Sequence, residues 1–245
     1  MISDYIYGLH PVNALLNAHP KIIIKLYILA LRADHKIKTI VNLAQIHKIP
    51  IETLTKSVME QRFVNFNHQG VVAKISNLPV YNEKDLTTIL AKGKEPHLIL
   101  ILDCITDPHN LGACLRTAEA AGVNFVIIPK DKSASLTPAV SKVACGAAAL
   151  ISLIRVTNLV RAMHILKERG IWIYGASVTA SESLYKLKLT MSLALVIGAE
   201  GTGIRLLTQK NCDTLFNLPM LGKINSLNAS VATGISLYEV LRQRL

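Results

Sequence analysis

From His97 onward the chain repeats one unit: a short apolar run, a turn, then a segment with helical spacing. Strands are expected at Leu98–Leu102, Asn124–Ile128, Ile151–Val156, Ile171–Ala176, Leu193–Gly198 and Leu215–Leu218. Helices are expected at Asn110–Ala121, Pro138–Ala149, Asn158–Glu168, Ile204–Asn211 and Leu227–Gln243. Strands that alternate with helices in this way form a parallel sheet with helical cover, and runs such as Leu193–Ile197 read as strands buried on both faces. None of these runs approaches the roughly 18–20 apolar residues that would span a bilayer. Half of the chain is hydrophobic and its mean hydropathy is +0.37, so a packed core is expected rather than disorder.

The first 75 residues form a smaller α/β pattern. Pro11 suits the first turn of a helix running toward His19, Lys21–Leu29 is strand-like, and Asp34 caps a helix through His47. Ile49–Leu54 and Gly70–Ile75 read as further strands, with Thr55 capping a short helix between them. The reading is therefore a small domain over residues 1–75, a linker over 76–84, where Pro79 and Asn82 punctuate the pattern, and a second domain over 85–245, opened by a helix at Asp85–Lys92.

Lysine and arginine number 27 against 16 acids, a formal net charge of +11, which favours polyanionic partners: nucleic acid or an anionic membrane surface. The cations are scattered, and no lone cationic amphipathic helix stands out, so nucleic acid is preferred. Nine of them lie within residues 1–75, against four acids. Cys104, Cys114, Cys145 and Cys212 form no C-x-x-C pair and no metal-ligand spacing with histidine, so buried structural thiols and no metal are expected. With Asp4 and tyrosines ahead of any apolar stretch, the N-terminus fits no secretory signal, and a cytoplasmic protein is expected.

Three clusters follow strands in the second domain. In Asp107–Gly122, Asn110 stands near a helix start and Arg116 almost two turns in, at the strand end where open α/β sheets bind ligands. A helix cap and a solvated arginine would account for the pair equally well. The second cluster, Val196–Gly203, holds three glycines and Glu200, without the G-x-G-x-x-G spacing of dinucleotide sites; an ordinary tight turn is its plain alternative. The third runs from Leu218 to Gly234. Ser226 can cap the last helix there, but capping leaves Asn228 and Ser230 unexplained among Ala229, Val231 and Ala232.

With these three clusters in this order, the chain resembles the SpoU (TrmH-like) RNA ribose 2′-O-methyltransferases of the SPOUT class. Tyr7-Gly8-Leu9-His10, His68-Gln69-Gly70, Lys142–Ala148 and Arg242-Gln243-Arg244 extend the likeness toward the bacterial branch that methylates a guanosine ribose in the P-site loop of 23S rRNA. The resemblance implies a SPOUT-type α/β knot, a parallel sheet with a deep C-terminal trefoil, preceded by a small α/β RNA-binding domain. It implies S-adenosylmethionine (AdoMet) as methyl donor, a homodimer, and 23S rRNA or a pre-ribosomal particle as partner. Carried over residue by residue, Asn110, Arg116, Glu200, Ser226 and Asn228 are the catalytic candidates. Gly198, Glu200, Gly201, Leu218, Met220 and Leu227 are the cofactor-binding candidates. Thr202, Leu206, Lys223 and Asn225 depart from the family pattern at the rim.

Methyl transfer to a ribose hydroxyl calls for orientation and charge control rather than a metal. Arg116 either helps to remove the hydroxyl proton or steadies the charge left behind; its permanent protonation favours the second role. Other readings are a tRNA or resistance-type rRNA methyltransferase on the same core, and an RNA-binding assembly factor without catalysis. A nicotinamide-dependent oxidoreductase lacks its glycine fingerprint.

Overall fold

The computed structural model describes residues 4–32, 34–64, 66–76, 81–93 and 95–245. It divides into two compact units, residues 1–79 with 145–150, and residues 80–144 with 151–245.

In the first unit four strands, β1 (Asp4–Tyr7), β2 (Ile23–Leu29), β3 (Ile51–Leu54) and β4 (Val71–Ile75), lie in the order β1-β4-β2-β3. β4 runs antiparallel to both neighbours, while β2 and β3 are parallel, joined through helix α2 (His35–Ile46). Asp34 caps α2 by accepting from the Lys36 and Ile37 amides, and Thr55 caps α3 (Lys56–Arg62) through the Val58 amide, as their side chains predict. Helix α1 (Leu9–Ala18) buries Val12, Leu15 and Leu16. Tyr5, Tyr27, Phe63 and Phe66 form an aromatic cluster, with the Arg62 guanidinium 4.5 Å from the Tyr27 ring centre.

The second unit is an all-parallel sheet of eight strands. They are β5 (Tyr81–Asn82), β6 (Leu98–Asp103), β7 (Phe125–Pro129), β8 (Ser152–Val156), β9 (Trp172–Ala176), β10 (Glu182–Ser183), β11 (Leu193–Gly198) and β12 (Thr214–Asn217). Their order is β10-β12-β9-β11-β6-β7-β8-β5. From β6 the chain steps outward through β7 and β8, then crosses to the other side of β6 for β9, β11 and β12. The strand order thus reverses between β6 and β11, whose last paired residues are Asp103 and Gly198. Helices α4 (Leu86–Lys92) and α8 (Leu159–Lys167) bury Leu86, Leu90, Met163 and Leu166 against one face, where Ile99, Ile101, Phe125 and Val196 point. Helix α10 (Ala229–Arg244) packs on α5 (Pro108–Ala120) and on β11. α5 also packs on α6 (Pro138–Ala144), and Gly112 makes this approach possible: a Cβ there would stand 2.7 Å from Val143 Cβ and 2.9 Å from the Val140 carbonyl oxygen.

Four expectations are corrected. The helix expected over Pro138–Ala149 breaks into α6 and α7 (Ala147–Leu150), because Cys145 and Gly146 adopt φ of 50° and 93°. A side chain at Gly146 would overlap Pro11, so close packing within the first unit overrides the helical propensity of the alanines. The expected linker over 76–84 is not all linker. Residues 77–80 lie outside the described ones, while Tyr81 and Asn82 pair with β8, and Asn82 and Asp85 form a reciprocal capping box. Cys145 is exposed rather than a buried thiol, whereas burial pushes the Cys114 thiol up to about 11 and that of Cys212 to about 12. The last helix is capped by Asn228, not Ser226: the Asn228 side-chain oxygen accepts from the Ser230 and Val231 amides at 2.9 and 3.4 Å.

Candidate active site

The site lies at the C-terminal ends of the strands, beside the point where strand order reverses, the usual ligand crevice of an open parallel sheet. Asp107 caps α5 by accepting from the His109 and Asn110 amides, both at 3.1 Å, with Pro108 pre-set for the first turn. The Asn110 side chain therefore does not cap its own helix. Its oxygen instead accepts a hydrogen bond from Asn228 Nδ2 at 2.9 Å. The same Nδ2 donates to Glu200 Oε1. One amide thus spends its oxygen on capping α10 and its nitrogen on tying together the ends of α5, α10 and the loop after β11.

That loop is a tight return. Gly203 N donates to the Ala199 carbonyl oxygen at 2.8 Å, and Gly201 and Gly203 adopt φ of 78° and 66°. At Gly198 any Cβ would run into the backbone of Gly203 and Ile204, so only glycine lets the returning loop come this close. The far end of the loop is pinned by Asp103, which closes β6 and is fully buried. Its carboxylate accepts from the Arg205 amide at 3.0 Å and from Arg205 Nε at 2.8 Å. Burial opposes the charge on Arg205, but the hydrogen bond and charge of Asp103 outweigh it and raise the guanidinium's pKa.

A cavity of about 420 Å³ opens beside this loop, within the size range of small-molecule sites. Gly198, Glu200, Gly201, Leu218, Met220 and Leu227 all stand in its wall, together with Ser226. Ile197, Phe216 and Ala229 add apolar surface. Ser177, Thr179 and Gln209 add polar groups that the sequence reading missed. Gln209 is fixed by donating to the Ile204 carbonyl oxygen at 2.6 Å.

Of the catalytic candidates, Asn110, Glu200 and Asn228 form one hydrogen-bonded cluster. Ser226 is exposed in the cavity wall. Arg116 is exposed on α5, about 9 Å along the axis from Asn110 at 1.5 Å per residue. Asp103 and Arg205 were also missed; the signal was a carboxylate ending an otherwise apolar buried strand. Among the described residues no three His, Cys, Asp or Glu side chains gather as metal ligands.

The SpoU rRNA Methylase family matches residues 97–238, from β6 into the last helix, and therefore takes in every element of the site. The chain belongs to this family. Residues 5–81 match the RNA 2′-O ribose methyltransferase substrate binding family. Among curated relatives, the 23S rRNA (guanosine-2′-O-)-methyltransferase RlmB of Vibrio vulnificus is 50% identical over 245 residues, covering 100% of this chain and 99% of that protein. The protein of the same name from Vibrio parahaemolyticus is 48% identical, with the same coverage. Among solved structures, the SpoU methyltransferase AviRb of Streptomyces viridochromogenes in complex with the cofactor AdoMet superposes with a TM-score of 0.77. It is 22% identical and covers 98% of this chain and 90% of that one. At that identity the likeness concerns the fold.

Proposed function

We propose that this protein transfers a methyl group from AdoMet to the ribose 2′-hydroxyl of a guanosine in 23S rRNA, in the P-site loop of the peptidyl-transferase region. The observation that carries this reading is the Asn228 bridge, which joins all three family clusters at the reversal of strand order, in a chain that matches RlmB proteins end to end. The cavity fits AdoMet. Leu218, Met220 and Leu227 offer apolar surface for a purine, and the returning loop brings backbone amides close. Gly198, Glu200 and Gly201 would hold the cofactor from that loop. Bound there, AdoMet supplies an electrophilic methyl group on a sulfonium centre.

The remaining chemistry belongs to the chain. Asn110 and Glu200, fixed by Asn228, would orient the acceptor ribose, and Ser226 would complete the wall between acceptor and cofactor. Arg116 would bind a substrate phosphate and stabilise the alkoxide that develops as the 2′-hydroxyl passes its proton to solvent water. A guanidinium that stays protonated suits that role better than proton abstraction.

The amino-terminal unit would bind RNA, supported by its nine cations against four acids and by its substrate-binding match. A deep trefoil in the C-terminal part is supported by the likeness of fold to the SpoU methyltransferase AviRb. A homodimer is supported by apolar groups left exposed on α10 and just before it, namely Leu221, Ile224, Val231 and Tyr238. A cytoplasmic location accords with an rRNA substrate; no helix among the described residues is long and apolar enough to cross a membrane.

The test uses purified protein, labelled AdoMet, and three substrates lacking the modification: free 23S rRNA, pre-ribosomal particles and tRNA. Label in a guanosine ribose of 23S rRNA, free or assembled, is the expected result. AdoMet binding without rRNA methylation, or label in tRNA alone, would contradict it.

A further inference from the structure

Beyond the site, the C-terminal edge of the large sheet continues over β7, β8 and β5, and the reaction above makes no use of it. Two clefts of about 300 and about 420 Å³ open along this edge and share Thr157. Lys132 and Arg205 line the first, and Lys84, Arg155 and Arg161 the second. The acids among their walls are Asp131 and Glu83. Arg161 is committed to Glu83 by two hydrogen bonds, and Arg205 to Asp103. One carboxylate, Asp131, is left to answer Lys84, Lys132 and Arg155.

Two buried polar atoms on this edge have no hydrogen-bond partner, Arg155 Nε and Ser133 Oγ. Arg155 is held in place by its Nη2, which donates to the Lys130 carbonyl oxygen at 3.0 Å. Anchored in this way, Arg155 lines the second cleft, where a guanidinium N–H can donate a charge-assisted hydrogen bond to an incoming anionic oxygen. Ser133 lies in the loop after β7, and the next residue fastens that loop to the turn after β6 through Ala134 N to the Ile105 carbonyl oxygen at 2.8 Å. The edge is therefore continuous with the turn that leads into Asn110. At about 4.8 Å per strand, it extends about 14 Å from β6 to β5.

We propose that this edge is a phosphodiester track, on which Lys132 and Arg155 hold backbone phosphates of the rRNA segment flanking the target nucleotide. The proposal rests on the methyl-transfer reading for the identity of the RNA. It assigns the track to positioning, because phosphate contacts fix register without reading sequence.

The test is binding of an in-vitro transcribed 23S rRNA fragment by the full-length protein between about 50 and 200 mM salt. Three proteins are compared: wild type, Lys132→Asn and Arg155→Gln. Asparagine is chosen because Lys132 has a φ of 58°, which asparagine tolerates. Each variant should lose about one unit of slope in log K against log salt and bind the RNA roughly threefold or more weakly. AdoMet affinity should stay at the wild-type value, and for methyl transfer KM for RNA should rise with kcat retained. Wild-type slope and affinity in both variants would overturn the proposal. Should Arg155→Gln fail to fold, Lys132→Asn decides alone. A wild-type protein that binds the RNA but methylates nothing would contradict the activity and leave the salt slopes to decide the track.

Discussion

The two halves of the site are built by different means. One half is a cluster of side chains from three elements, in which a single amide, Asn228 Nδ2, serves both Asn110 and Glu200. The cavity half has one wall set by backbone: a loop that returns on itself past Gly198, closed at its far end by the buried Asp103. A half made of side chains fails when one functional group is changed, whereas a wall set by backbone fails when space is taken away. Turnover and cofactor affinity should therefore separate under mutation.

The largest separation is expected from Arg116→Ala. Loss of a charge-stabilising donor should lower kcat by about 10²–10³-fold, with AdoMet affinity by calorimetry unchanged. Equal loss of both would place Arg116 in the cofactor half and break the comparison. Asn228→Asp comes next. The carboxylate still caps α10, so the melting temperature should hold within a few degrees, but it removes the bridging donor and sets a like charge beside Glu200. A misplacement of this kind costs about 10²-fold in kcat; unchanged kinetics would show that the bridge is dispensable.

Gly198→Ala probes the other half. Its methyl group cannot enter without moving the Gly203–Ile204 backbone, so AdoMet affinity should fall about tenfold or more, with a stability loss of roughly 1–3 kcal/mol. Wild-type AdoMet binding would show that the loop yields easily. The smallest effect is expected from Glu239→Gln on α10, away from both halves. Hydrogen bonds from Arg242 above all, together with Gln243, hold the Glu239 carboxyl down to about 2. A folded value depressed below the ordinary 4.5 means that its stabilisation is complete above about pH 4.5 and is lost as pH falls toward 2. The variant should lose that part of the acid dependence in thermal melts, while turnover and AdoMet affinity at neutral pH stay at wild-type values.

Much of this was legible in the residues. Leu193–Gly198 reads as a buried strand because every residue in it is apolar or glycine, and the observed strand has the same limits. Asn228 stands out in the sequence as a polar residue that breaks an apolar pattern, and in the structure it is the hub of the cluster. What escaped was set by contacts between distant parts of the chain. Ser226 and Asn228 are equally good caps in sequence, and only the backbone conformation chooses between them. The helix break at Cys145 and Gly146 follows from Pro11, more than a hundred residues away. Asp103 became a site residue only once Arg205 had folded back onto it. Tyr81–Asn82 and Glu182–Ser183 are two-residue strands, too short to carry any periodicity, and they exist because an edge was available to pair with.

The most direct test maps ribose methylation in 23S rRNA from a strain deleted for this gene and complemented with either wild type or Arg116→Ala. The account predicts one guanosine in the P-site loop without its 2′-O-methyl group, restored by the wild type and not by the variant. A full methylation map in the deletion strain, or restoration by Arg116→Ala, would contradict it.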